Sequence, residues 1–218
     1  MQQGSSVSLD SDANGSDCAF CQHHTIATYI LKETPTFRIV ADHAPLTEGH
    51  ILIVPRQHYA CYGSMPAELD QELLALKREV QQFFCQFYAP VVFWEHGVFR
   101  QTVFHAHLHC FPFGETTYQL SDALHDQVIA SQDDIRAWYA SQGHYFYMED
   151  THHRLLFAPQ MEHYLHIIQK VLWSGVAART KRTGWRSAQQ RMEEGRPLIE
   201  ATAAKWHTFQ QQGESHAD

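Results

Sequence analysis

The sequence predicts an α+β protein, an antiparallel sheet with one long helix followed by a mainly helical C-terminal extension. Three observations carry that reading. Short β-leaning runs alternate with turn signals through the first half, one stretch repeats apolar residues at steps of three and four, and one segment alternates histidine with apolar residues.

Ile26–Lys32 and Thr36–Ala41 read as a hairpin about Glu33-Thr34-Pro35. His50–Pro55 is a continuous apolar run after Gly49, short enough for a buried strand and stopped by proline. From Pro66 onward, Leu69, Leu73, Leu76, Val80, Phe83 and Phe87 fall on one helical face, and Ala89-Pro90 ends the helix. Val91–Glu95 and Val103–Phe111 read as two more strands around a loop containing Gly97. Beyond Phe113 helices are expected over Asp122–Ala140, Met161–Val176 and Trp185–Phe209, with a small hairpin from Tyr145–Glu149 and Leu155–Ala158 and a frayed tail over Gln210–Ser215. The expected organisation is a disordered lead over residues 1–16, a catalytic domain over 17–115 and the extension over 116–218.

With 44% hydrophobic residues in 218, and no apolar run approaching ~20 residues, neither wholesale disorder nor a membrane partner fits. A formal net charge of -8 argues against an extended nucleic acid as partner and leaves room for a small phosphorylated ligand. The lead has no cationic start or apolar stretch of a secretory signal, so a cytoplasmic location is expected. Five cysteines with one close pair, Cys18 and Cys21, form a poor disulfide framework and suit a reducing compartment.

On a strand, His105, His107 and His109 would project to one side, with neighbours roughly 6.5 to 7 Å apart, while Ala106, Leu108 and Cys110 turn to the core. One imidazole can then attack phosphorus while another carries a proton, because the unperturbed pKa lies at about 6.5. The same alternation also suits direct ligation of a catalytic metal with an open position for water.

Gln101-Thr102-Val103-Phe104 followed by His105-Ala106-His107-Leu108-His109 resembles the signature of the histidine triad (HIT) family. Asp17–Cys21 resembles that family's N-terminal Cys-x-x-Cys, and Gly49–His58 its Gly-His strand with a Pro-x-x-His ending. The resemblance implies a nucleotide hydrolase or nucleotidyltransferase acting on a nucleotide-type small molecule. In it, His107 attacks the α-phosphorus to form a covalent nucleotidyl-histidine, flanked by His109 and His50. It further implies that Asp42 accepts ribose hydroxyls and that Gln101 and Thr102 lie near the phosphates. Cys18, Cys21, His58 and His105 would hold a structural zinc, and sheets would join edge to edge in a homodimer.

The sequence departs from the family pattern at Glu95-His96-Gly97, where many members carry Asn-Gly, and at Arg100, where a glycine is common. Glu95 is expected to face a proton or a cationic part of the substrate, and Arg100 to contact phosphate. Trp173, Trp185 and Trp206 read as core anchors, with base-stacking platforms as the alternative, and Arg179, Lys181, Arg182, Arg186 and Arg191 as a solvated helix face, with the rim of a phosphate site as the alternative. Two other functions stay open: a nucleotide-binding regulatory module with weak turnover, and a metal-dependent hydrolase.

Overall fold

The computed structural model describes residues 17–114, 126–158, 160–180 and 184–214. A short turn of helix α1 (His23–Ile26) leads into β1 (Ile30–Glu33), β2 (Phe37–Ala41) and β3 (Ile51–Pro55). Helix α2 (Asp70–Phe87) is followed by β4 (Val92–Glu95) and β5 (Leu108–Phe111). The second half contributes β6 (Asp126–Val128), α3 (Gln132–Gln142), β7 (Phe146–Glu149), β8 (Arg154–Phe157), α4 (Met161–Ile167), α5 (Trp173–Thr180) and α6 (Ala188–Glu214). Among the described residues the strands form one eight-stranded sheet in the order β1-β2-β3-β5-β4-β7-β8-β6, and every neighbouring pair is antiparallel.

The continuous apolar run of β3 is explained by burial on both faces. Ile51 and Ile53 enter the core beneath α2, whereas Leu52 and Val54 pack with Phe20 and Ile26 of the N-terminal segment. Leu73, Leu76, Val80 and Phe83 of α2 are buried against the sheet, as their spacing requires. Helix α6 lies against α2, where the buried Trp206 meets Phe83 edge-on at 4.8 Å between ring centroids. The Gly49 N–H donates to Thr202 Oγ1 at 2.9 Å, so α6 also holds the entry to β3. Trp206→Ala is expected to cost about 3–5 kcal/mol through the cavity it leaves, measured as a lower urea midpoint.

Several element boundaries differ from the sequence expectation. Residues 23–29 make helical turns, so the first strand starts only at Ile30. The strand expected over Val103–Phe111 is confined to Leu108–Phe111. Before it the backbone bonds elsewhere instead of joining the ladder, His105 N to Val103 O at 2.8 Å in a local turn and Ala106 N to the distant Tyr59 O at 2.7 Å. The helix expected over Asp122–Ala140 falls partly on residues 122–125, outside the described residues. Asp126–Val128 is a strand, and the helix begins after Ser131, whose capping box with Asp134 sets its start. The helix expected over Met161–Val176 is divided by a π-helical turn at Ile168–Leu172, and α6 starts at Ala188 and runs through the expected tail to Glu214. The Tyr145–Ala158 hairpin is realised as β7–β8, and it extends the main sheet through β4.

Candidate active site and metal centre

The Cys18–Cys21 turn is closed by Cys21 N to Cys18 O (3.0 Å) and aims both thiols at the end of the histidine segment. Cys18 Sγ lies 3.4 Å from His105 Nδ1, and Cys21 Sγ lies 3.3 Å from His58 Nδ1 and 3.5 Å from His105 Nδ1. One ligand atom from each of the four residues lies within 4.8 Å of all the others. These separations match the edges of a tetrahedron, roughly 3.5 Å for zinc bound by sulfur and nitrogen. His105 Nε2–H donates to the Pro55 carbonyl at 2.8 Å, which leaves the Nδ1 lone pair facing the thiols. Burial, and then the neighbouring Cys18, push the Cys21 thiol up to about 11. The donor set and its geometry fit a closed four-coordinate metal site.

His107 is buried next to this cluster. Its Nδ1–H donates to the His105 carbonyl at 2.6 Å, so in the neutral ring the lone pair is on Nε2. Gln101 Nε2 donates to the same carbonyl at 3.2 Å. The His109 ring stands 4.9 Å from that of His107 at a steep angle. His50 is stacked on Phe111 at 4.4 Å, and its Nδ1 accepts from Leu46 N–H at 3.3 Å, which puts the His50 proton on Nε2. That Nε2–H donates to His109 Nδ1 at 3.0 Å and lies 3.6 Å from Asp42 Oδ2. A neutral His109 with Nδ1 accepting must carry its own proton on Nε2. Burial holds His50 down to about 4 and His109 well below the ordinary imidazole value, and it lowers His107 against the opposing pull of its backbone bond and Asp42. Burial thus favours the neutral form of all three rings.

A cavity of about 560 Å³ opens on this face of the sheet. Asp42, His50, Arg100, Thr102, His107 and His109 all line it, so the structure gathers six of the sequence-derived residues into one site. Gln101 stands behind the lining, with its amide on the His105 carbonyl. Arg100 adopts a left-handed backbone, φ 54°, and its guanidinium lies 5.7 Å from the Tyr164 ring centre.

Trp94, His96, Tyr164, Trp185 and Arg191 also line the cavity; the first three were missed as site residues, and Trp185 and Arg191 were expected there only as the lesser alternatives. Strand alternation from β4, where Trp94 pairs directly with His109, could have found Trp94 and His96. No local pattern marks the other three, which arrive from the second half of the chain. Trp185 is 43% exposed beside Trp173 and lines the cavity instead of anchoring the core, whereas Trp206 is a core residue as expected. Arg191 is likewise no solvated residue, since its Nε donates to the Ala44 carbonyl at 2.9 Å beside Asp42. Lys181 and Arg182 lie outside the described residues.

Glu95 is a correction. Fully buried, it points to the opposite face of the sheet from the histidines and accepts from Tyr62 N–H at 2.8 Å and Tyr145 O–H at 2.5 Å. The neighbouring Gly97 has φ 52° and a Cβ there would fall 2.4 Å from the Tyr145 carbonyl, so the turn after Glu95 requires glycine. Burial raises the Glu95 carboxyl to about 7. The fold therefore retains a proton that the unfolded chain loses near 4.5, and stability is expected to fall as pH rises from about 4.5 to 7, by on the order of 3 kcal/mol. Glu95→Gln should flatten that slope and leave the variant the more stable protein at pH 8, as read by denaturant titrations across the window.

The antiparallel sheet, its long helix and the His-x-His-x-His segment above a buried cavity define a histidine-triad-type protein. Residues 11–126, just over half of the chain, match the family model described as "Protein similar to CwfJ C-terminal", and the chain belongs to this HIT-like family. No curated protein matches it. Among solved structures, a HIT family protein from Bacillus anthracis is 24% identical, with a TM-score of 0.42 over 49% of this chain and 84% of its own. A hypothetical histidine triad nucleotide-binding protein from Sulfolobus tokodaii is 17% identical, with a TM-score of 0.38 over 78% of this chain and 100% of its own. A zinc-bound histidine triad protein from Mycobacterium smegmatis is 23% identical, with a TM-score of 0.37 over 57% and 94%. Among the described residues, no helix is long and apolar enough to cross a membrane.

Proposed function

We propose that the chain is a nucleotide hydrolase or nucleotidyltransferase that works through a covalent nucleotidyl intermediate on His107. The observation that carries this reading is the 2.6 Å bond from His107 Nδ1–H to the His105 carbonyl, which directs the Nε2 lone pair away from its backbone anchor. Nε2 attacks the α-phosphorus, the bond from phosphorus to the leaving group breaks, and the leaving group departs with the electron pair. Water or another acceptor then attacks the same phosphorus, the P–N bond breaks, its pair returns to Nε2 and the acceptor's proton passes to solvent. His109 Nε2–H donates to a phosphate oxygen, and His50 holds His109 in the tautomer that makes this possible.

Asp42, at the cavity wall beside His50, suits ribose hydroxyls, and Thr102 and Arg100 suit the phosphates. Gln101 acts as a positioning residue through the carbonyl that also holds His107. Cys18, Cys21, His58 and His105 would hold a structural zinc that ties the N-terminal segment to the sheet. Arg100→Ala is expected to raise KM about tenfold, the worth of roughly one charge-assisted hydrogen bond, with a smaller change in kcat. Unchanged kinetics would remove the phosphate role.

A second reading rests on Asp42, His50 and His109, whose ligand atoms also cluster within 4.8 Å and could hold a catalytic metal. The Leu46 bond to His50 Nδ1 favours a proton over a metal on His50 Nε2. The test is a panel of dinucleoside polyphosphates, nucleotide sugars and nucleoside phosphoramidates, with and without chelator. Release of nucleoside monophosphate that survives brief chelation supports the covalent reading. Activity lost at once and restored by metal supports the second. Tight binding with no product across the panel would instead make the chain a regulatory nucleotide-binding module.

A further inference from the structure

Outwards from the β4–β7 seam, three strands on each side of the sheet follow one pattern, with β1 and β2 added beyond β3. One unit runs β3, α2, β4, β5 and a second runs β6, α3, β7, β8, and in each the first strand pairs antiparallel with the fourth and the fourth with the third. The third strands, β4 and β7, meet antiparallel at the centre, so the sheet order β3-β5-β4 is followed by its reverse, β7-β8-β6. Both helices pack on the same face, with Leu73 and Leu76 of α2 and Ile135 of α3 in one core.

The register agrees residue by residue. Trp94 faces Met148 across the seam; Trp94 pairs with His109, and Met148 with Leu155. Leu52 in turn pairs with His109, and Val128 with Leu155. A two-fold axis through the Trp94–Met148 pair therefore carries His109 onto Leu155, Phe93 onto Tyr147 and Glu95 onto Glu149. Both glutamates are buried, and Lys77 spans the seam, with its ammonium 4.6 Å from the Phe93 ring centre and 5.4 Å from that of Tyr147.

The two halves differ where the chemistry is. Between β4 and β5 the chain runs from His96 to His107 and builds the cavity, whereas β7 and β8 are joined by the tight turn Asp150–His153. On the cavity face of the second unit, Met148, Leu155 and Phe157 are packed beneath Leu172 and Val176 in a closed apolar cluster.

We infer that this chain is an internal pair of β-α-β-β units, one carrying the site and one a plugged counterpart, and that it therefore works as a monomer with a single site. Antiparallel pairing of like strands about a dyad is what two copies of one chain use to join their sheets. Here β7 already occupies that edge of β4, which displaces the homodimer expected from the sequence. The cavity wall is also completed in cis, by Tyr164, Trp185 and Arg191 from the same polypeptide.

Light scattering on the full-length protein over a wide concentration range tests the first part. The mass of one chain throughout is expected; a dimer would overturn the inference. Hydrogen exchange on the same sample tests the second. The amides of β4 and β7 are expected to be protected alike and to lose protection together in denaturant. Loss of protection in β7 well before β4 would mark the second half as a separate appendage and overturn the internal pair.

Discussion

His107→Ala is expected to lower nucleotidyl release by about 10³- to 10⁶-fold, the range set by loss of a nucleophile when binding and the surrounding groups persist. The loss should fall on kcat, because Asp42, Thr102 and Arg100 line the cavity independently of the missing ring. His109→Ala should be milder, removing one donor to phosphate oxygen at a cost of about 10²- to 10³-fold. The contrast separates attack from charge stabilisation. A larger loss at His109 than at His107, with circular dichroism unchanged, would instead suit the metal reading built on Asp42, His50 and His109.

The second large effect is expected at the candidate metal centre. The double variant Cys18→Ala, Cys21→Ala is expected to purify without zinc and to be less stable by several kcal/mol, below the ~10–16 kcal/mol that zinc supplies to isolated finger peptides because this domain has a core of its own. Limited proteolysis should cut first in the N-terminal segment, where Phe20 and Ile26 pack on Leu52 and Val54. Activity should fall with it, since His105 is both a member of the cluster and the residue whose carbonyl holds His107. A variant of undiminished stability and zinc content would remove this role from the cysteines.

Much of the site was legible because its residues fall in short motifs that the fold keeps together. The Gly49–His58 run is β3 and its exit, so His50 and His58 come from the two ends of one strand, and the 105–109 segment faces it through β5. The period of α2 was legible for the same local reason, a single amphipathic face. Alternation misled at Val103–Phe111, where side-chain periodicity suggested a longer ladder. The backbone there is diverted to Tyr59 and Val103, and His105 turns to the cysteines while His107 and His109 turn to the cavity. Glu95 was misplaced because its partners, Tyr62 and Tyr145, lie 33 and 50 residues away. Tyr164, Trp185 and Arg191 were hidden for a related reason, since they reach the site only once β7 and β8 have extended the sheet and α4 to α6 have folded back over it.

Trapping tests the proposed covalent step. Rapid quenching of full-length protein with a substrate labelled at the α-phosphate, followed by digestion and mass spectrometry, should place one nucleoside monophosphate on the peptide containing His107, with the label absent in His107→Ala. Product formed at the wild-type rate with no adduct at any quench time, or an adduct on another residue, would contradict the mechanism.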